Sequence, residues 1–204
     1  MRAASLSHLI NCCCNKCGFC NFFTFIIITL TAAEMNPSDF NNRRWDRDDY
    51  YVTTDPSQIS VAALIDIYNS DVFYWASAMP AEYMEATLRN SLTFCIFSKT
   101  TGALTGLARC VTDYTTFMYL TDVWVDPAQQ GQGLGKWMLT CINEVIDEMP
   151  HLRRCMLFTT NWDRSVPLYE KTMGMEVIEG RALATMEVKG RGHPKYGQKG
   201  SSYT

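Results

Sequence analysis

Excess positive charge is what this sequence most plainly lacks. Its 18 lysines and arginines stand against 21 aspartates and glutamates, a formal charge of -3. That leaves no basic footprint for a nucleic-acid backbone. Long apolar runs are missing as well. The most apolar stretch, Phe19 to Ala33, is shorter than the ~20 residues a membrane-spanning helix needs. Metal-ligand spacing is incomplete: Cys14-x-x-Cys17-x-x-Cys20 is followed by no second C-x-x-C and no histidine pair, so no metal is expected. There is no disulfide-like pattern in the body of the chain. Cys95, Cys110, Cys141 and Cys155 are scattered singly and read as small hydrophobes in a reducing compartment. No internal repeat is present.

What remains is an ordinary globular composition, 47% apolar and 19% charged over 204 residues, enough for one domain with appendages. Residues 1–34 stand apart in composition. A secretory signal (Arg2, Lys16 and Thr31-Ala32-Ala33 match in part), a palmitoylated anchor, a zinc site and an extension upstream of a start at Met35 all compete there. The expectation adopted is the last, a dispensable or spurious extension. Membrane association is then expected only if residues 1–34 are retained, and the protein is otherwise expected in the cytoplasm. Residues 35–49 read as a polar lead-in, 50–189 as an α/β domain, and 190–204 as a disordered tail.

Within that domain, Tyr50–Thr54 reads as a strand and Asp55-Pro56-Ser57 as a helix opening, with Val61, Leu64, Ile65 and Tyr68 on one face. An aromatic connector, Phe73-Tyr74-Trp75, leads to a second helix, Ala81 to Arg89. A meander follows over Leu92–Ser98, Leu104–Thr112 and Met118–Val125. Leu134, Met138, Cys141, Ile142, Val145 and Met149 then mark one face of a helix. Arg154–Thr159 reads as a buried strand, Asp163–Met173 as a helix, and Met175–Ile178 with Ala184–Lys189 as a closing strand pair.

The stretch Tyr119 to Lys136 carries the chemistry. A strand ends at Val125-Asp126-Pro127, and Gly131, Gly133 and Gly135 precede an amphipathic helix. The first N–H groups of a helix have no partner inside it, and glycines let a phosphate approach them closely. A Walker loop is excluded because counting back from Gly135-Lys136 puts Gln130 where the first glycine is required, and Trp137 follows the lysine. The dinucleotide fingerprint is excluded because the spacing is G-x-G-x-G, after at least three strand-like segments.

Gln130-x-x-Gly133-x-Gly135, set between a V-x-V-D-P strand and an amphipathic helix, resembles the [RQ]-x-x-G-x-[GA] motif of the GNAT superfamily of N-acetyltransferases. Thr112-Asp113-Tyr114, Thr116-Phe117, Tyr119-Leu120, Asp122-Val123 and Val125 extend the likeness, which spans roughly residues 50–189. The resemblance implies a mixed α/β (α+β) fold of six to seven strands, splayed where acetyl-CoA wedges in. It implies an acetyl-CoA-dependent N-acetyltransferase working by direct attack of an amine in a ternary complex.

By the same resemblance, Val123, Trp124 and Val125 would hold the pantetheine arm. Gln130, Gly131, Gln132, Gly133, Leu134, Gly135 and Lys136 would hold the pyrophosphate, with Asn161 nearby. Tyr169, in Leu168-Tyr169-Glu170-Lys171, is the candidate acid. Strand alternation, which sets Asp122 on the same side as Trp124, makes Asp122 the first candidate base, with Asp113 the second. Asp113, Tyr114, Tyr74 and Trp75 are candidate acceptor contacts. In Tyr169's string the glycine falls one residue later than in the usual pattern, and Pro167 precedes it. A small-molecule primary amine is the expected acceptor, with a peptide or protein amine, or a non-catalytic acyl-CoA-binding role, as the alternatives. The chain is expected to act as a monomer or homodimer, without nucleic acid.

Overall fold

The computed structural model describes residues 37–178, 191 and 195–199. The 1–34 extension, the second closing strand and most of the tail lie outside the described residues. Six strands form one sheet in chain order: β1 (Arg44–Arg47), β2 (Tyr50–Thr53), β3 (Leu92–Ser98), β4 (Leu104–Thr112), β5 (Phe117–Val125) and β6 (Arg154–Met156). All neighbours are antiparallel except β5 and β6, which run parallel.

Helices cover both faces. After the short α1 (Pro37–Phe40) come α2 (Val61–Tyr68), α3 (Ala81–Arg89), α4 (Leu134–Asp147) and α5 (Ser165–Met173). β3 is buried on both sides, and its alternation separates two cores. Leu92, Phe94 and Ile96 pack with Met138, Leu139, Ile142 and Val145 of α4. Cys95 and Phe97 pack with Leu64 and Tyr68 of α2 and Met84 and Leu88 of α3. Each such side chain contributes about 1.5–3 kcal/mol on burial. Among the described residues no helix is long and apolar enough to cross a membrane.

One glycine in this core admits nothing larger. A Cβ on Gly106 would lie 2.6 Å from Cδ1 of Ile96, its partner across β3 and β4. Gly106→Ala is expected to cost about 1–3 kcal/mol by overpacking, read as a lowered midpoint in urea unfolding.

Several expectations are corrected. Residues 44–47 are a strand, not a loop: they pair with β2 through a tight Asp48-Asp49 turn, and Asp48 takes the left-handed conformation at φ 48°. The charges there are partnered across the chain. Arg43 bridges Glu148 at 2.6 Å through its second nitrogen, and the Trp45 indole donates to Glu144 at 2.6 Å. Asp55-Pro56-Ser57 opens only a 3-10 turn (Pro56–Gln58), and Ser60 caps α2 by accepting from Ala63 N. Near the end of the domain, residues 175–178 have no strand pairing among the described residues, and β6 stops at Met156 rather than Thr159.

Candidate active site

β5 outruns its parallel neighbour. β6 pairs with it only at Phe117↔Arg154, Met118↔Cys155 and Tyr119↔Met156. Beyond Tyr119 the two strands part. The gap leads into a cleft of about 720 Å³, walled by Val123, Trp124 and Val125 on one side and by Leu168 and Tyr169 of α5 on the other. The glycine loop and the first turn of α4 form its floor, and Val72, Tyr74 and Trp75 its rim.

The backbone along this edge is phased by hydrogen bonds. Asp126 N donates to Thr105 O on β4 at 2.9 Å. Trp124, two residues earlier, shares that edge, so its peptide groups serve the sheet. Val123 and Val125 face the gap, and Gln130 Nε2 reaches the Val125 carbonyl at 3.0 Å.

The loop is held open from behind. Gly131 and Gly133 sit at φ 83° and 74°, in the left-handed region that costs other residues about 1–2 kcal/mol. Gly133 is the N-cap of α4. Arg47 of β1 donates to the carbonyls of Gln132 (3.2 Å) and Gly133 (3.4 Å). In a trans peptide the N–H points opposite to the C=O. The N–H groups of Gly133 and Leu134 are therefore turned away from Arg47, and both residues line the cleft. With the partial positive charge of the α4 N-terminus and the side chains of Lys136 and Arg164 in the lining, this end is built for an anion. Among the described residues the lining holds no aspartate, glutamate or histidine.

Tyr169 projects from α5 into the cleft. Burial pushes its hydroxyl up to about 12, so it keeps its proton throughout the neutral range. α5 accommodates Pro167 because it falls in the first turn, where a missing donor costs little. Asn161 closes the turn that leads into this helix by accepting from Arg164 N at 3.0 Å. Gly174 ends it at φ 63° with its N–H on the Glu170 carbonyl.

Residues 61–175 match the acetyltransferase (GNAT) family. The chain belongs to the GNAT family. As a GNAT protein it is an acyltransferase. It is 35% identical over 173 residues to a Gibberella zeae protein provisionally named an acetyltransferase, covering 74% of this chain and 96% of that one. A GNAT-family structure from Xanthomonas campestris pv. campestris is 27% identical over 70% of this chain and 96% of its own, with a TM-score of 0.57. The ribosomal-protein-S5-alanine acetyltransferase of Vibrio fischeri shares the fold at 13% identity, with a TM-score of 0.52 over 64% of this chain and 81% of its own.

Most of the residues singled out on GNAT resemblance meet at the cleft: Tyr74, Trp75, Val123, Trp124, Val125, Gln130, Gly131, Gly133, Leu134, Gly135, Lys136, Asn161 and Tyr169. Four do not. The Asp122 side chain is only 5% exposed and its carboxylate accepts from Arg109 Nε at 2.7 Å, so it is not placed to take a proton from a substrate in the cleft. Asp113 closes the β4–β5 turn. The Thr116 hydroxyl, then the N–H groups of Thr116, Thr115 and Phe117, hold its carboxyl far below the usual range. Tyr114 stacks on Phe40 at 6.0 Å. Both lie at the Phe117 end of β5, about 20 Å along the strand from Val123. The Gln132 side chain turns to Gln129 Oε1 at 3.0 Å, away from the lining. Arg47 and Arg164 were not anticipated. The first is hidden in a charged tetrapeptide, and the second gives no local signal.

Proposed function

We propose that this GNAT enzyme transfers an acetyl group from acetyl-CoA to the primary amine of a small molecule, by direct attack within a ternary complex. The observation that carries the reading is the edge of β5 left unpaired beyond Tyr119, lying beside an N–H-lined glycine loop, with Lys136 and Arg164 in the same lining. An extended chain ending in a pyrophosphate fits that pair of surfaces. The peptide groups of Val123 and Val125 would hold the arm as a neighbouring strand would. The N–H groups of Gly133 and Leu134, with Lys136, would hold the phosphates. Acetyl-CoA supplies the activated acetyl group when bound. Tyr169, protonated at neutral pH, would hold its hydroxyl proton toward the departing sulfur.

The rim formed by Val72, Tyr74 and Trp75 supports a compact, largely apolar acceptor. Tyr74 and Trp75 meet edge to face at 5.0 Å, and Trp75 lies 4.3 Å from Phe73. A wall that is apolar and holds no carboxylate among the described residues disfavours the charged ammonium and favours the neutral amine that must attack. The proton then leaves to solvent rather than to a side chain of the cleft.

A pH dependence follows. Log kcat/KM should rise with a slope of about one up to the pKa of the acceptor itself and then level off. Tyr169 stays protonated below about 12, so it adds no falling limb before that. Profiles measured with two amines of different basicity should shift with the amine. A limb common to both near neutrality would assign the proton to an enzymic base and sink the solvent route. The acceptor reading itself is checked by following acetylated product across a panel of small monoamines, polyamines and peptides. Preference for apolar monoamines is expected, and exclusive use of peptides would overturn it.

A further inference from the structure

β5 changes phase in its middle. Before the change, Met118 and Leu120 pack on the α4 side of the sheet; after it, Val123 and Val125 do, and Trp124 packs on the other side. The register shows where. Arg109 faces Thr121 and Leu107 faces Trp124, so one residue of β4 (Ala108) spans two of β5 (Asp122 and Val123). This is a β-bulge, and Asp122 takes it at φ 56°, a conformation aspartate tolerates better than most side chains.

The bulge also decides which amides face the gap. Thr116 O accepts from Arg153 N on the β6 side, so even-numbered residues face that side at the start of β5. Without an inserted residue, the same parity would turn Trp124 to the gap and bury Val123 and Val125 against β4. The insertion reverses it. At its centre, the Asp122 carboxylate meets Arg109 Nε at 2.7 Å, with side-chain exposures of 5% and 21%. The Tyr68 hydroxyl from α2 interacts with both charges. Neither Asp122, Arg109 nor Tyr68 lines the cleft.

We propose that Arg109 and Asp122 are positioning residues: their buried ion pair pins the bulge and so keeps the Val123 and Val125 peptide groups turned toward the thioester-bearing arm. The inference rests on the acetyl-CoA reading above. A buried pair suits the task because separating it leaves a charge unpaired in the core, so the bulge cannot slide along β5.

The test is calorimetric binding of acetyl-CoA and of ADP. ADP carries the pyrophosphate without the arm. Wild type, Asp122→Asn, Arg109→Met, Arg109→Lys and Asp122→Gly are compared, each first checked for a cooperative unfolding transition. Asp122→Asn is nearly isosteric and guards against loss of fold. In Asp122→Asn and Arg109→Met, acetyl-CoA affinity should fall about tenfold while ADP affinity stays within twofold. Arg109→Lys should recover most of the loss. Asp122→Gly, which accepts the left-handed φ freely, should behave like Asp122→Asn.

Parallel losses for both ligands, no loss for either, or full affinity in Asp122→Gly would each overturn the positioning role. Wild type that binds neither ligand would overturn the acetyl-CoA reading and this inference with it.

Discussion

Gly133→Val is expected to abolish useful acetyl-CoA binding while leaving the fold intact. Space is not the issue, since a Cβ at this position would meet only the Arg47 guanidinium at 3.8 Å. The backbone is. At φ 74° a β-branched side chain is strongly disfavoured, and the loop relaxes by rotating the peptide planes on either side. That rotation withdraws the carbonyls gripped by Arg47 and turns the Gly133 and Leu134 N–H groups off the phosphate position. Two hydrogen bonds to a charged group, at about 1.5–3 kcal/mol each, correspond to a loss of at least about 100-fold in affinity. Calorimetric titration reads it. Gly102→Ala is the control, because Gly102 has a similar φ of 70° in the β3–β4 turn. It should lower stability by about 1–2 kcal/mol and leave acetyl-CoA affinity unchanged. Equal affinity in Gly133→Val and wild type would remove the loop from the binding site.

The second large effect is on turnover. Tyr169→Phe keeps the ring that packs against the α4 core and removes only the hydroxyl. A positioned acid contributes typically 10²–10⁴-fold, so kcat should drop by about 100-fold while acetyl-CoA binding changes less than about twofold. A drop in affinity as large as the drop in kcat would make the hydroxyl a binding group instead. Unchanged turnover would remove Tyr169 from the chemistry.

What could be read from the residues was whatever depends on local periodicity and on backbone demands. The apolar stripe Leu134-Met138-Cys141-Ile142-Val145 is buried where its spacing places it. Of the alternating glycines, Gly131 and Gly133 take the left-handed positions at the helix start. Contacts between distant segments leave no such trace. Arg44-Trp45-Asp46-Arg47 has one apolar residue in four and resembles a solvated loop, yet its side chains are spoken for by Glu144 and the Gln132-Gly133 carbonyls about 90 residues away. The bulge at Asp122 is equally silent. Strict alternation along Tyr119–Val125 places Asp122 beside Trp124 on the substrate side, and only the paired register exposes the inserted residue. Asp113 misleads for a different reason: an acid with two aromatics, Tyr114 and Phe117, in one connector reads as a site, but its oxygens are consumed by the turn that it closes.

One measurement bears most directly on acetyl transfer in this cleft. The protein is mixed with acetyl-CoA alone and then with a small monoamine, while free thiol, acetylated amine and the intact mass of the protein are followed together. Direct attack in a ternary complex requires no thiol before the amine is added, one thiol per acetylated amine afterwards, and a protein mass that never changes. Stoichiometric acetylation of the protein before the amine arrives would contradict it. So would tight acetyl-CoA binding that releases no thiol with any amine, which would make the chain a non-catalytic acyl-CoA-binding member of its family.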